Sequence, residues 1–328
     1  MNLAIIFPGQ GSQKVGMGLD LSEISTAKEI FTKVNAITTK NISEVFLHGP
    51  QEELNQTKNT QISIIAISVT LTLLLQEELK SKNISFIPKA CCGHSLGELT
   101  ALWFANLLEL EELIRLVSIR GNLMQNAPSG SMAAIINLKA EQVENLIKND
   151  SSLKDKVVIA NYNSPNQLVI SGHKEAFTNS NLIEKIKSLG GKAIILPVGG
   201  AFHSPLMEEP AELFSEEIDK VFALKSTNIN IPIYQNFDGE PSTNIENIKI
   251  KIKKQMISPV YWTQTINNLV KNHITGIVEI GPGKVLTGLV QKINPNILCY
   301  NIYDLNSLRS FVTQYESQLS TIKHSQAT

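Results

Sequence analysis

Ala90-Cys91-Cys92-Gly93-His94-Ser95-Leu96-Gly97-Glu98-Leu99-Thr100-Ala101-Leu102-Trp103 is the stretch on which the reading of this chain turns. A short apolar run ends on Gly93, a serine follows two residues later, and after Gly97 apolar residues recur at helical spacing. Strand, sharp turn and helix around G-x-S-x-G make a nucleophile elbow, in which small residues permit the strained turn that lifts the hydroxyl clear of a sheet. The helix that starts there brings free N–H groups and the positive end of its dipole beside that oxygen.

Outward from the elbow, strand-length apolar runs alternate with helical patterns: Leu3–Phe7, Ala90–Cys92, Val157–Ala160, Leu168–Ser171, Ala193–Val198 and Gly276–Ile280. That alternation predicts an α/β fold with a buried, largely parallel sheet. Residues 130–198 read as a unit of their own. Strand (Met132–Ile136), helix (Ala140–Lys148), two strands around the turn Asn163-Ser164-Pro165-Asn166, helix (Lys174–Leu189) and strand give the β-α-β-β-α-β order of a ferredoxin-like arrangement. Pro128-Ser129-Gly130 and Gly199-Gly200 border it as hinges. The expected organisation is a discontinuous catalytic domain, 1–129 and 199–328, carrying an inserted subdomain, 130–198. The polar stretch beyond Tyr315 is expected to fray.

The balance of 29 basic and 30 acidic residues in 328 gives no global field to attract nucleic acid or an anionic membrane. Three cysteines without C-x-x-C spacing make neither a disulfide framework nor a zinc site, and point to a reducing compartment. The N-terminal apolar run is too short for a signal peptide and lacks a basic flank. The run from Ile62 (ISIIAISVTLTLLL) falls short of a membrane span and reads as a buried helix. No metal, nucleic acid or membrane is expected.

A serine hydroxyl needs a base. His94 is adjacent to Ser95, and a tight elbow turns the two side chains apart. His48, His173, His273 and His324 lie in polar surroundings. His203, in Gly199-Gly200-Ala201-Phe202-His203-Ser204-Pro205, follows a strand, where open α/β sheets gather ligands. The acids between Ser95 and His203, such as Asp150, Asp155, Glu175 and Glu184, fall in the inserted unit, so a Ser–His dyad with the imidazole oriented by a carbonyl fits better than a triad. The loop Phe7-Pro8-Gly9-Gln10-Gly11-Ser12-Gln13 is no dinucleotide fingerprint, because Lys14 stands at the third glycine position; Gly281-Pro282-Gly283-Lys284 is no P-loop, because Val285 replaces Ser/Thr.

FPGQGSQ (7–13), GHSLGE (93–98), RGNLMQ (120–125), GAFHSPLM (200–207), QMISPVYW (255–262) and EIGPGKVLTGL (279–289), in this order, resemble the malonyl-CoA:acyl carrier protein transacylase family over residues 3–293. The resemblance implies an α/β-hydrolase-like core with a ferredoxin-like insertion. It implies that Ser95 forms a malonyl ester with His203 as base, and that the phosphopantetheine thiol of holo acyl carrier protein then takes the malonyl group. Backbone N–H groups of Leu96 and Gln10 would hold the oxyanion, and Arg120 would clasp the malonyl carboxylate. Gln255 would orient His203 through its main-chain carbonyl, a role that does not call on its side chain. Phe202 would narrow the acyl pocket against branched extender units and Met124 would line it; Gln61 and Asn163 would lie near the site. No cofactor belongs to the protein itself: malonyl-CoA is the substrate and the carrier brings its own arm. A monomer is implied; the Ile-, Asn- and Lys-rich composition points to an AT-rich genome, bacterial or organellar, so the compartment is the cytoplasm, or plastid stroma if the gene is an organelle's. The same motifs suit an acyltransferase loading polyketide carrier domains; a serine (thio)esterase fits Arg120 less well. An acidic carrier calls for a basic patch, and Lys249, Lys251, Lys253 and Lys254 are the densest cluster, with a solvated helix face as the plainer account. Two departures stand out: no aromatic follows Glu98, and Asn106 interrupts a segment usually small and apolar.

Overall fold

The computed structural model describes residues 1–178, 181–223, 225 and 229–326, with 321–326 as backbone only. Ten strands form two sheets. The larger contains β1 (Leu3–Phe7), β2 (Ala90–Gly93), β7 (Ile233–Tyr234), β8 (Pro241–Ser242), β9 (Gly276–Ile280) and β10 (Leu298–Ile302), in spatial order β10-β9-β1-β2-β7-β8. All neighbours are parallel except β7 and β8. β1 is buried at every residue, as a central strand covered on both faces must be. The chain order reverses beside β1, with β2 on one side and β9 on the other, so the loops after these strands open onto a crevice at the carboxyl edge.

The smaller sheet contains β3 (Ser131–Ile136), β4 (Val157–Ser164), β5 (Gln167–Gly172) and β6 (Lys192–Ile195) in the order β4-β5-β3-β6, all antiparallel. This is the ferredoxin-like order, and its core of Ala133, Ile135, Val143, Val157, Leu168, Ile170 and Ile186 is a separate apolar cluster. The two chain crossings at its border lie side by side: Gly130 N–H donates to Gly199 O at 3.0 Å and Ser129 bridges Gly200.

Several local expectations are corrected. β4 runs on through Asn163 and Ser164, so the hairpin turn is shorter than the polar composition suggested. The Lys174–Leu189 run is two helices, Lys174–Thr178 and Leu182–Ser188, with 179–180 outside the described residues. The polar stretch beyond Tyr315 is helical as far as it is described, within the helix Leu305–Gln326. The apolar run from Ile62 belongs to a 25-residue helix, Thr57–Ser81, long and apolar enough by composition to cross a membrane, but mostly buried in the fold. Three of its buried hydroxyls turn inward on the helix itself: Ser63 donates to Asn59 O, Thr70 to Ala66 O and Thr72 to Ser68 O, each at 2.7 Å. Such back-bonding lets polar side chains sit among Ile and Leu without a distant partner.

Candidate active site

Ser95 sits between β2 and the helix Leu96–Phe104 with φ 50° and ψ −106°, a strained conformation for a residue with a Cβ. The flanking glycines are fixed by closeness of approach. A Cβ on Gly93 would fall 2.0 Å from the Gly97 carbonyl carbon, and one on Gly97 would fall 2.1 Å from Phe7 O. The elbow is thus pressed against the end of β1, with His94 N–H donating to Phe7 O at 3.1 Å. The helical pattern reads Leu96–Leu107 in the sequence, but the helix ends at Phe104: Asn106, at φ 60°, takes the left-handed conformation past the last turn, a position that tolerates Asn. The departure at Asn106 is therefore a helix stop.

His203, 4% exposed and also left-handed at φ 57°, brings Nε2 to 2.7 Å from Ser95 Oγ. Its Nδ1 faces two carbonyls, Gln255 O at 2.9 Å and Ser258 O at 3.1 Å. Carbonyls only accept, so Nδ1 carries the proton and Nε2 presents its lone pair to the serine hydroxyl. Burial, and then the Arg120 charge, lower the imidazole pKa to about 3, which keeps it neutral and able to accept a proton.

Arg120 comes from the helix Leu110–Gln125 and is fully buried. Nη1 donates to Gln61 Oε1 at 2.8 Å, and Nη2 donates to Ser95 Oγ and to Gln255 Oε1, both at 3.0 Å. Its Nε has no partner, and among the described residues no carboxylate makes an ion pair with it. Burial lowers its pKa to about 10, the Glu98 charge opposing; it remains a cation at neutral pH. A buried guanidinium beside a nucleophile, held by neutral amides, is a fitting receptor for an anionic group brought by a ligand.

Gln61 is buried and also donates through Nε2 to Met124 Sδ at 3.1 Å, which places Met124 in the same cluster. The Phe202 ring packs over Gly200, immediately before His203. Gln10 follows β1; its backbone N–H and that of Leu96 meet no acceptor among the described residues, and Gln10 Oε1 is buried without a partner. Asn163 reaches the elbow from β4 and binds His94, Oδ1 to Nε2 at 2.8 Å, while the His94 ring packs edge-on to Trp262. His94 therefore points away from Ser95. His48, His173 and His273 are exposed, and the side chain of His324 lies outside the described residues.

The Gln255 side chain, which a main-chain role does not call on, is engaged on both sides. Its Oε1 accepts from Arg120, while Nε2 donates to Ser95 O and Glu98 Oε2, both at 2.9 Å. Sequence reasoning also missed Glu98, Gln235, Asn236 and Ser258. Glu98 is 1% exposed and accepts from Gln235 Nε2, Asn236 N–H and Gln255 Nε2. Asn236 accepts from Ser95 N–H and donates to Gly93 O, both at 2.6 Å. A lone carboxylate in the apolar run Leu96–Phe104 was the available signal for Glu98; Asn236 follows a strand of two residues, too short to recognise. The lysine cluster is not one solvated face: Lys249 and Lys253 are half-buried and pair with Asp219, Lys251 pairs with Asp238, and Lys254 lies over Phe237. Among the described residues no group of three or more His, Cys, Asp or Glu could hold a metal ion.

Residues 4–296 match the acyl transferase domain family. The malonyl CoA-acyl carrier protein transacylase of Staphylococcus aureus is 38% identical over 314 residues, 94% of this chain and 97% of that protein. The crystal structure of the Clostridium perfringens enzyme of that name superposes with a TM-score of 0.87 at 31% identity, covering 98% of this chain and all of the other. A malonyl-transacylase solved in complex with its type II PKS acyl-carrier protein gives 0.86 at 31% identity, covering 94% and 98%. With the two-sheet fold and the serine elbow, these likenesses establish that the chain is an acyltransferase and belongs to the malonyl CoA-acyl carrier protein transacylase family.

Proposed function

We propose that the protein transfers malonyl groups from malonyl-CoA to the phosphopantetheine thiol of holo acyl carrier protein, supplying fatty-acid synthesis, through a malonyl ester on Ser95. The observation that carries this reading is the buried Arg120 guanidinium, 3.0 Å from Ser95 Oγ and free of any carboxylate partner among the described residues. In a malonyl ester the free carboxylate lies one methylene beyond the ester carbonyl, within reach of those N–H donors. Arg forms paired hydrogen bonds to carboxylates that Lys cannot.

In the first half-reaction Ser95 Oγ attacks the thioester carbonyl as its proton passes to His203 Nε2. The oxyanion is met by the N–H groups of Leu96 and Gln10, and its collapse expels the coenzyme A thiolate, which takes the proton from His203. The second half-reaction repeats these steps with the carrier's thiol as nucleophile and Ser95 as leaving group. Phe202 and Met124 crowd the pocket against a substituent on the malonyl methylene. The protein itself brings no cofactor, acts as a monomer in the cytoplasm or plastid stroma, and carries 130–198 as an inserted subdomain. Loading of polyketide carriers uses the same steps and differs only in the acceptor.

Purified protein incubated with malonyl-CoA and no acceptor should gain one malonyl group on Ser95, read by intact mass and peptide mapping. Ser95→Ala should gain none, and holo acyl carrier protein should clear the adduct. Steady release of free malonate without acceptor would mean a thioesterase instead.

A further inference from the structure

We infer that Glu98 is a positioning residue that sets which way the Gln255 amide faces, and thereby presents Arg120 to the substrate carboxylate. The inference deepens the function proposed above and rests on it. An amide can be turned over at little cost unless its neighbours distinguish oxygen from nitrogen. Here they do. Glu98 Oε2 accepts from Gln255 Nε2 at 2.9 Å, and Ser95 O accepts from the same nitrogen at 2.9 Å. Both neighbours are acceptors on that side, so Oε1 is left toward Arg120 Nη2, 3.0 Å away. Glu98 is itself held by donors alone, Gln235 Nε2 at 3.1 Å and Asn236 N–H at 3.0 Å, and is fully enclosed. The carboxylate and the guanidinium are thus joined through one amide, with no direct salt bridge. The guanidinium keeps its Nε unpartnered and its charge uncancelled by contact, available to a ligand's carboxylate.

In Glu98→Gln the residue at 98 presents an NH2 or a single oxygen where two carboxylate oxygens accept three donors. Turning over Gln255 would relieve one clash and put an NH2 against Arg120, donor against donor. The overturned amide misplaces the guanidinium. Acyl groups with a free carboxylate lose that contact, and acyl groups without one do not.

The test measures kcat/KM for malonyl-CoA and acetyl-CoA with holo acyl carrier protein in wild type, Glu98→Gln, Gln255→Leu, the double variant and Arg120→Ala, with melting temperatures for each. Wild type should prefer malonyl, and Arg120→Ala should abolish the preference; if wild type has none, the proposed function itself fails. Glu98→Gln should lower the malonyl-to-acetyl ratio roughly tenfold or more, the scale of one hydrogen bond to a charged group, chiefly through KM for malonyl-CoA. Gln255→Leu, which keeps the main-chain carbonyl facing His203, should lower it similarly, and the double variant should lower the ratio no further than Gln255→Leu alone. A ratio unchanged in folded Glu98→Gln, or independent multiplicative losses in the double variant, would overturn the inference. If Glu98→Gln does not fold, Gln255→Leu and Gln255→Glu decide it. The carboxylate placed on Arg120 by Gln255→Glu should erase the malonyl preference, and a preserved preference in both would overturn the inference.

Discussion

At Ser95 two side chains address one oxygen with opposite roles: the hydroxyl donates to His203 Nε2 and accepts from Arg120 Nη2. Ser95→Ala should lower transfer by roughly 10⁴-fold or more, measured by loading of carrier protein, with little change in melting temperature. The base lends itself to a pH test. The His203 pKa is lowered to about 3, so its neutral form prevails at every higher pH, and kcat/KM for malonyl-CoA should show no inflection near 6.5. Removing the second cause of that depression, in Arg120→Leu, should move the acid limb upward; a limb that stays or moves down would contradict the electrostatic account. Ser95, His203 and Arg120 were legible as residue types in motifs. The Gln255 side chain was not, because its partners come from an elbow 160 residues away in the chain.

Elements explain why those residues are held. The elbow is clamped on two sides, by Phe7 O behind Gly97 and by Asn236 bridging Ser95 N–H and Gly93 O. Gly97→Ala forces a Cβ against backbone rather than a yielding side chain. It should cost roughly 1–3 kcal/mol by calorimetry and, by shifting the Leu96 amide, about 10²-fold in kcat. Asn236→Ala leaves two buried backbone groups unpaired and should lower stability by roughly 1–3 kcal/mol for each. The strands β1, β2 and β9 were readable because central parallel strands are unbroken apolar runs. β7 and β8, two residues each, carry no period to read, and β10, with an exposed Leu298, breaks the buried pattern. Helix ends were misjudged where a single left-handed residue such as Asn106 overrides apolar spacing.

On the scale of the whole molecule, His203 links activity to stability. Its folded pKa lies below the unfolded value of about 6.5, so the unfolded chain binds the extra proton as pH falls from about 6.5 to about 3, and stability declines over that window. His203→Asn, which cannot titrate, should show a shallower fall of melting temperature between pH 7 and 4. The smaller sheet's order was within reach of the sequence, because the β-α-β-β-α-β run constrains its topology; the larger sheet's order was not, since three of its six strands are short or irregular, nor was the contact of Asn163 with His94, from one sheet's territory into the other's elbow. The long helix Thr57–Ser81 has a consequence for how the protein is made. The strand β9 beside β1, and the helix Leu305–Gln326 that packs on the long helix, leave the ribosome long after it. At about 5–20 residues per second, the roughly 200 residues between Ser81 and β9 take about 10–40 s to appear. The helices Ser25–Thr38 and Leu110–Gln125, made early, already pack on the long helix, so for that interval only the face that meets β9 and Leu305–Gln326 stays open, an apolar stripe that a chaperone stationed at the exit tunnel can cover.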